Sequence, residues 1–205
     1  MSAHITVIGA GIAGLATAIA LKRAGHDVAV IEQRTDAASG AGISIWPNAL
    51  AALDDIGLGD DVRQAGGRVT GGAIRWRDGT WLRRPSAQRI VAALGEPLVV
   101  VRRSVLTDIL RAALPPGALE TGLAATAVTT AQSSVRVTLS DGQTRETGAV
   151  VGADGVNSMV ARTLNGPLRS RYVGYTAWRG VATYALDPVL AGETMGAGTE
   201  VGHVP

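Results

Sequence analysis

The sequence predicts an α/β fold, and three observations predict it. The first 32 residues run apolar segment, glycine turn, helical pattern, apolar segment, acid. Two later stretches alternate polar and apolar residues around an Asp-Gly pair, the pattern of antiparallel hairpins. Between them lie helical windows closed by Pro or Gly. Together they read as a Rossmann-like βαβ nucleotide domain carrying an inserted antiparallel or mixed sheet.

The opening unit is the most specific. Ile5-Thr6-Val7-Ile8 is a strand, Gly9-Ala10-Gly11-Ile12-Ala13-Gly14 a turn leading into a helix, and Val28-Ala29-Val30-Ile31 a second strand ending at Glu32. Gly9 permits the tight turn, Gly11 lets the backbone approach a pyrophosphate, and Gly14 lets the helix pack closely. The N–H groups at the start of the helix, around Ile12 and Ala13, face the phosphates with a partial positive charge. Leu15, Ala18, Ile19 and Leu21 form its apolar face; Lys22 and Arg23 suit its last turn, and Gly25 stops it. Glu32 lies 18 residues after Gly14, near the spacing expected of a carboxylate that accepts hydrogen bonds from a ribose.

The remaining elements follow in order. Residues 39–46 are glycine-rich and extended, Pro47 opens a helix through Leu50 and Leu53, and Gly57 ends it. A short polar helix covers Asp60 to Gln64. Arg68 to Arg77 and Thr80 to Arg83 read as strands about Asp78-Gly79, and residues 98–101 as a buried strand. Ser104 to Leu114 is an amphipathic helix ended by Pro115-Pro116-Gly117. Leu119 to Thr147 reads as a β-meander turning at Asp141-Gly142. Ala149 to Gly152 is a buried strand, a helix starts near Asn157 or Ser158, and Arg171 to Leu186 is strand. The Asp154-Gly155 pair differs from the other two, with an apolar run before it and a helix after it. Its carboxylate either accepts from a ribose hydroxyl, water or backbone N–H near a bound dinucleotide, or caps the following helix.

Composition narrows the function classes. A chain of 205 residues, 46% hydrophobic and 18% charged, is globular. It has no cysteine, so disulfides, thiolate metal sites and thiol catalysis are excluded. The three histidines, at 4, 26 and 203, lack metal-ligand spacing, and no metal is expected. A net charge of +2 does not argue for nucleic acid. The arginines at 75, 77, 83, 84 and 89 read as a solvated sheet face. No run reaches membrane-span length and the start lacks signal-peptide regions, so a cytoplasmic location without membrane partners is expected.

Several ordered motifs carry a resemblance. Gly9-x-Gly11-x-x-Gly14-Leu15-x-x-Ala18-x-x-Leu21, with Gly25, Val28 and Glu32, resembles the opening of the FAD-dependent aromatic hydroxylases. These are the single-component flavoprotein monooxygenases that include p-hydroxybenzoate and salicylate hydroxylases. Gly40-Ala41-Gly42-Ile43 with Pro47-Asn48-Ala49 and Leu53-x-x-x-Gly57-Leu58 is similar to their next segment. Arg103-x-x-Leu106-x-x-x-Leu110 resembles their flavin-contacting arginine helix. Gly152-Ala153-Asp154-Gly155 with Ser158 resembles their DG motif, and Trp178-Arg179-Gly180 a following strand.

The resemblance implies a glutathione-reductase-type FAD domain (1–70 and 101–165) and a partial substrate-binding sheet (71–100 and 166–205). It also implies NAD(P)H as co-substrate, O₂ as oxidant and a small aromatic substrate, with the cofactor supplying the chemistry. Carried over, Gly9, Ala10, Gly11, Ile12, Ala13 and Gly14 hold the pyrophosphate and Glu32 the adenosine ribose. Gln33 and Arg34 either reach the adenine end or lie on solvated surface. Gly42 and Ile43 belong to the cofactor segment. Arg103 either contacts the flavin side or is an exposed first-turn arginine. Asp154 serves FAD, and no catalytic residue is assigned. Arg75, Arg83 or Arg179 could pair with a substrate carboxylate.

Two departures stand out. Where the family often has an arginine three residues after the DG-motif serine, this chain has Ala161, with Arg162 next. The family's C-terminal Gly-Asp-Ala-Ala-His-Pro motif has no counterpart in these 205 residues, so the expectation is an N-terminal part with an incomplete sheet. The competing readings are an inactive FAD-binding fragment and another FAD oxidoreductase of the same fold, a halogenase or reductase. Oligomeric state is left open.

Overall fold

The computed structural model describes residues 3–36, 40–69, 71–185 and 191–204. The chain opens with β1 (His4–Ile8), α1 (Ile12–Arg23), β2 (Asp27–Glu32), β3 (Gly42–Ile45), α2 (Pro47–Asp55) and α3 (Gly59–Ala65). It continues with β4 (Gly67–Val69), β5 (Ala73–Trp76), β6 (Trp81–Arg83), α4 (Ala87–Leu94), β7 (Leu98–Arg102) and α5 (Arg103–Ala112). Then come β8 (Leu119–Thr121), β9 (Ala125–Thr130), β10 (Val135–Leu139), β11 (Thr144–Thr147), β12 (Ala149–Gly152), α6 (Met159–Asn165), β13 (Gly192–Gly196) and β14 (Thr199–His203). No described helix is long and apolar enough to cross a membrane.

Two compact units divide the chain, one from Met1–Ser39 with Leu106–Trp178, the other from Gly40–Val105 with Arg179–Pro205. The first is built on a parallel sheet in the order β12-β1-β2-β8. Parallel strands are stable where both faces are covered, and Val7, Ile8, Val30 and Ile31 are all buried. Ile8 and Ile31 pack with Val137 and Leu139 of β10 and Val160 of α6. The antiparallel meander β9-β10-β11 thus braces the sheet. Helix α1 buries Gly14, Leu15, Ala18 and Ile19, while Leu21 is half-buried. Gly25, at φ +85°, follows the helix in the left-handed conformation that suits a stop. A carboxylate–guanidinium pair, Glu120 with Arg145, ties β8 to β11.

The second unit holds the antiparallel sheet β3-β7-β4 and the sheet β14-β13-β5-β6. In the latter β13 runs parallel to β5 and the other pairs are antiparallel, a mixed sheet as expected. Val99, Val100 and Val101 of β7 are buried, as are Leu50, Leu53, Leu58 and Val62 around α2 and α3. Arg63 on α3 donates to both oxygens of Asp54 and both of Glu96, at 2.6–2.9 Å. Those carboxylates hold its guanidinium firmly protonated, and it holds theirs below the usual carboxylate range.

Five sequence expectations need correction. Arg68 lies in β4, which pairs with β7 and not with the β5–β6 hairpin. Arg89 lies on α4, not on a strand: the Ser86 hydroxyl accepts from its N–H at 3.3 Å, and Gly95 at φ +87° ends the helix. Leu119–Thr121 joins the parallel sheet beside β2 and not the meander. β12 is the edge strand of that sheet, so it is only half-buried. Residues 171–185 form no strand, because no neighbouring strand pairs with them; Leu186 lies outside the described residues.

Candidate functional site

The site grows from the ends of β1, β2 and β12, where parallel strands deliver their C-terminal edges side by side. Gly9 leaves β1 at φ +101°, and its N–H donates to Ile31 carbonyl at 2.8 Å. Ala153 at the end of β12 donates to Ile8 carbonyl at 2.8 Å. The close backbone approach here makes two glycines obligatory. A Cβ on Gly9 would stand 2.3 Å from Ala153 carbonyl oxygen, and one on Gly14 would stand 1.9 Å from Gly9 carbonyl oxygen. Gly11 is different. A Cβ there meets nothing within 4 Å, and its φ of −72° is open to any residue. The fold itself does not require glycine at this position. The space beside it is open, and no side chain caps α1 or places an acid in its first turn. The helix N-terminus therefore offers its orphan N–H groups to an anion.

Glu32 ends β2 with its carboxylate turned to the turn. One oxygen accepts from Ala10 N–H at 2.7 Å and the other from Arg34 N–H at 2.9 Å. Each oxygen has a second acceptor site left for a hydroxyl. The Arg34 guanidinium pairs with Asp36 at 2.6 Å on the exposed surface.

Asp154 follows β12. One oxygen accepts from Met159 N–H at 2.6 Å and Val160 N–H at 3.2 Å, and the other accepts from the Ser158 hydroxyl. Ser158 in turn accepts from Ala161 N–H at 2.8 Å. These contacts are those of a cap on the following helix. Burial pushes its carboxyl up, but the Ser158 hydroxyl and the backbone N–H groups more than offset this and hold it below its ordinary value.

These groups line a cavity of about 530 Å³. Gly9, Gly11, Glu32, Gln33 and Arg34 form one side, Leu123 to Ala125 a second, and Asp154, Gly155, Asn157, Met159 and Arg162 the third. Sequence reasoning assigned no role to Leu123–Ala125 or Asn157, and noted Arg162 only as a departure. The β8–β9 connection gave no motif, yet Leu123 N–H donates to Glu32 carbonyl at 3.1 Å and brings it to the rim. The helical register of α6 was the one available signal for Arg162.

Gly42, Ile43 and Arg103 belong to the second unit. Gly42 and Ile43 lie on β3 opposite Arg102 and Val101. Arg103 opens α5; its N–H donates to Ala41 carbonyl at 3.1 Å and its side chain runs along Gly40. The structure thus brings these residues together with each other. Among the arginines offered for a substrate carboxylate, Arg83 and Arg179 are exposed, while Arg75 donates to the Thr194 hydroxyl at 2.8 Å. Arg75 and Arg84 both stack over Trp81, at 5.7 and 4.8 Å from the ring centre.

Comparison with known proteins adds to this geometry. The family described as FAD binding domain matches residues 2–193. A 3-amino-4-hydroxybenzoate 2-monooxygenase of Streptomyces platensis is 39% identical over 192 residues, covering 91% of this chain and 48% of its own length. A 6-hydroxynicotinate 3-monooxygenase of Bordetella bronchiseptica is 36% identical over 187 residues, covering 90% of this chain and 49% of its own. Among solved structures, Klebsiella pneumoniae HpxO complexed with FAD and uric acid matches at a TM-score of 0.72 and 28% identity, covering 78% of this chain and 41% of that one. The chain spans about half the length of the curated relatives it matches.

Proposed function

We propose, from the premise that this chain belongs to the FAD binding domain family, that it carries the dinucleotide-binding part of an aromatic-ring monooxygenase. The observation that carries this reading is the open space at Gly11 beside an uncapped helix N-terminus, with Glu32 and Asp154 on the rim of the same cavity. An FAD pyrophosphate fits that cradle, since a Cβ at Gly11 would fill it.

In this reading Gly9, Ala10, Gly11, Ile12, Ala13 and Gly14 supply the turn and helix N-terminus that hold the pyrophosphate. Glu32 accepts from the adenosine ribose while fixing Ala10, and Gln33 and Arg34 border the adenine. Asp154 holds α6 and the Gly155–Ser158 turn against the cavity. Gly42, Ile43 and Arg103 serve the flavin side. The functional division in this reading is 1–70 and 101–165 for FAD, and 71–100 and 166–205 for the substrate sheet; it differs from the packing units, in which 40–70 and 101–105 join the second and 166–178 the first.

Bound FAD would supply the redox chemistry: an aromatic C–H, O₂, NAD(P)H and a proton give the phenol, NAD(P)⁺ and water. The chain's own part is to bind, orient and exclude water. Relatives that act on a hydroxybenzoate and a hydroxynicotinate support a small aromatic substrate, with a carboxylate that an arginine of the β5–β6 region could meet. Dependence on NAD(P)H supports a cytoplasmic setting.

The test is a fluorescence titration with FAD and with FMN. The reading requires FAD to bind more tightly, because the cavity holds the adenosine half that FMN lacks. Equal affinities would remove its basis.

A further inference from the structure

Two arginines line the cavity of the first unit, and they are not equivalent. Arg34 is tethered: its guanidinium donates to both carboxylate oxygens of Asp36, at 2.8 and 2.6 Å. Arg162 is exposed, and among the described residues its guanidinium has no hydrogen-bond or ion-pair partner. Helical spacing sets its place. Met159 and Arg162, three residues apart on α6, both line the cavity, whereas Ala161 does not. An arginine at 161, where the aromatic hydroxylases often carry one, would point elsewhere. One residue further on, about 100° round the helix axis, the side chain faces the cavity. The wall beside it is apolar. Val160 packs against Leu123 and Ala125, and Leu123, Ala124 and Ala125 line the same cavity. Leu123 N–H donates to the Glu32 carbonyl, so this wall adjoins Glu32.

We propose that Arg162 is a specificity-determining residue of this cavity, its guanidinium covering the adenine of FAD and holding it against Leu123–Ala125. The proposal rests on the FAD reading above and names the side chain that grips the base. With the ribose at Glu32, the base is the next group along the cofactor and meets the wall that adjoins Glu32. The phosphates have their own positive counterpart in the uncapped start of α1. An apolar wall facing a planar, delocalised and weakly hydrated cation is a slot for a flat π system. Arg34, held by Asp36, stays at the rim.

The test titrates the full chain calorimetrically with FAD, ADP and FMN, and with adenosine in competition against FAD. Arg162→Met keeps the length of the side chain and removes its charge; Arg162→Lys keeps the charge and removes the plane. Arg162→Met should weaken FAD, ADP and adenosine by the same factor, about three- to tenfold, the range of a partly desolvated cation–π contact. FMN, which lacks adenine, should bind unchanged. Arg162→Lys should bind FAD nearer to Arg162→Met than to the parent chain, and the loss should persist in high salt. The melting temperature should stay the same in both variants, since the exposed side chain has no partner to lose. A loss limited to FAD and ADP, rescued by lysine and erased by salt, would make Arg162 a phosphate cation and overturn the proposal. Unchanged FAD affinity in Arg162→Met would also overturn it and leave the FAD reading standing. A parent chain that binds neither FAD nor ADP would sink that reading itself, and this role with it.

Discussion

Residue by residue, the glycine turn separates what the fold needs from what a ligand needs. Gly9→Ala forces a Cβ against Ala153 carbonyl oxygen and a non-glycine residue into φ +101°. Left-handed strain of about 1–2 kcal/mol plus overpacking of about 1–3 kcal/mol should lower the melting temperature plainly. Gly11→Val meets open space, so its cost is confined to the helix cap, about 1 kcal/mol or less. Its branched side chain should nevertheless abolish FAD retention. Undiminished FAD content in Gly11→Val would mean the phosphates do not pass there. Glu32→Ala removes a charge-assisted acceptor worth on the order of 1.5–3 kcal/mol, so FAD affinity should fall about 10- to 100-fold. Glu32→Gln should recover little, staying within about threefold of Glu32→Ala. Its amide would turn a donor toward either Ala10 N–H or Arg34 N–H, both of which now donate to the carboxylate. Faster exchange of the Ala10 and Arg34 amides in both variants would mark this positioning role; unchanged exchange would refute it. The sequence announced Gly9, Gly11, Gly14 and Glu32 through spacing. It could not tell that Glu32 braces the turn as well as facing the cavity, because that contact depends on a rotamer.

Among the elements, α6 shows how a motif can be legible and its mechanics not. The pair Asp154-Gly155 stood out because a helix and not a strand follows it. Only the structure shows the carboxylate accepting from Met159 and Val160 N–H. Because its folded pKa lies below the unfolded value, the unfolded state binds more protons in acid. The stabilisation is therefore complete above the unfolded value of about 3.9 and is lost as pH falls through the lower folded value. Asp154→Asn should cost about 1–2 kcal/mol at pH 7, the range for a lost helix cap. That gap should narrow below about pH 4 in denaturant titrations. A gap independent of pH would show that charge is not what Asp154 contributes. Helix α4 was missed for another reason. Arg83, Arg84 and Arg89 fall near apolar residues in a way that suits a strand, but Ser86 and Gly95 fix a helix between them. Segment 171–185 failed oppositely: strand propensity measures fit to a pleated neighbour, and none is present among the described residues.

For the whole molecule, the parallel order β12-β1-β2-β8 and the mixed second sheet reproduce the predicted class. The match to FAD binding domains extends over residues 2–193, so the ordered motifs carried the family correctly. Strand pairing was harder to read, because strands such as β4 and β8 are three residues long and choose partners by tertiary contact. With about half the length of its relatives, the chain by itself should hold FAD weakly and show no substrate-stimulated NAD(P)H oxidation. Following NADPH absorbance with hydroxybenzoates and hydroxynicotinates checks this. Coupled hydroxylation by these 205 residues would show that they complete the site unaided.

The pairing of β1 with β12 has a consequence in time. Ile8 lies opposite Gly152, so the support beneath the glycine turn arrives 144 residues after the turn has been made. At ribosomal rates of about 5–20 residues per second, the turn waits roughly 7–29 seconds before Ala153 can seat against it. During that interval the nascent chain holds the complete glycine signature without the Ala153 contact that seats it. Nucleotide capture therefore belongs to a late step of biogenesis, and it would report completed folding of the first unit to anyone watching the emerging chain.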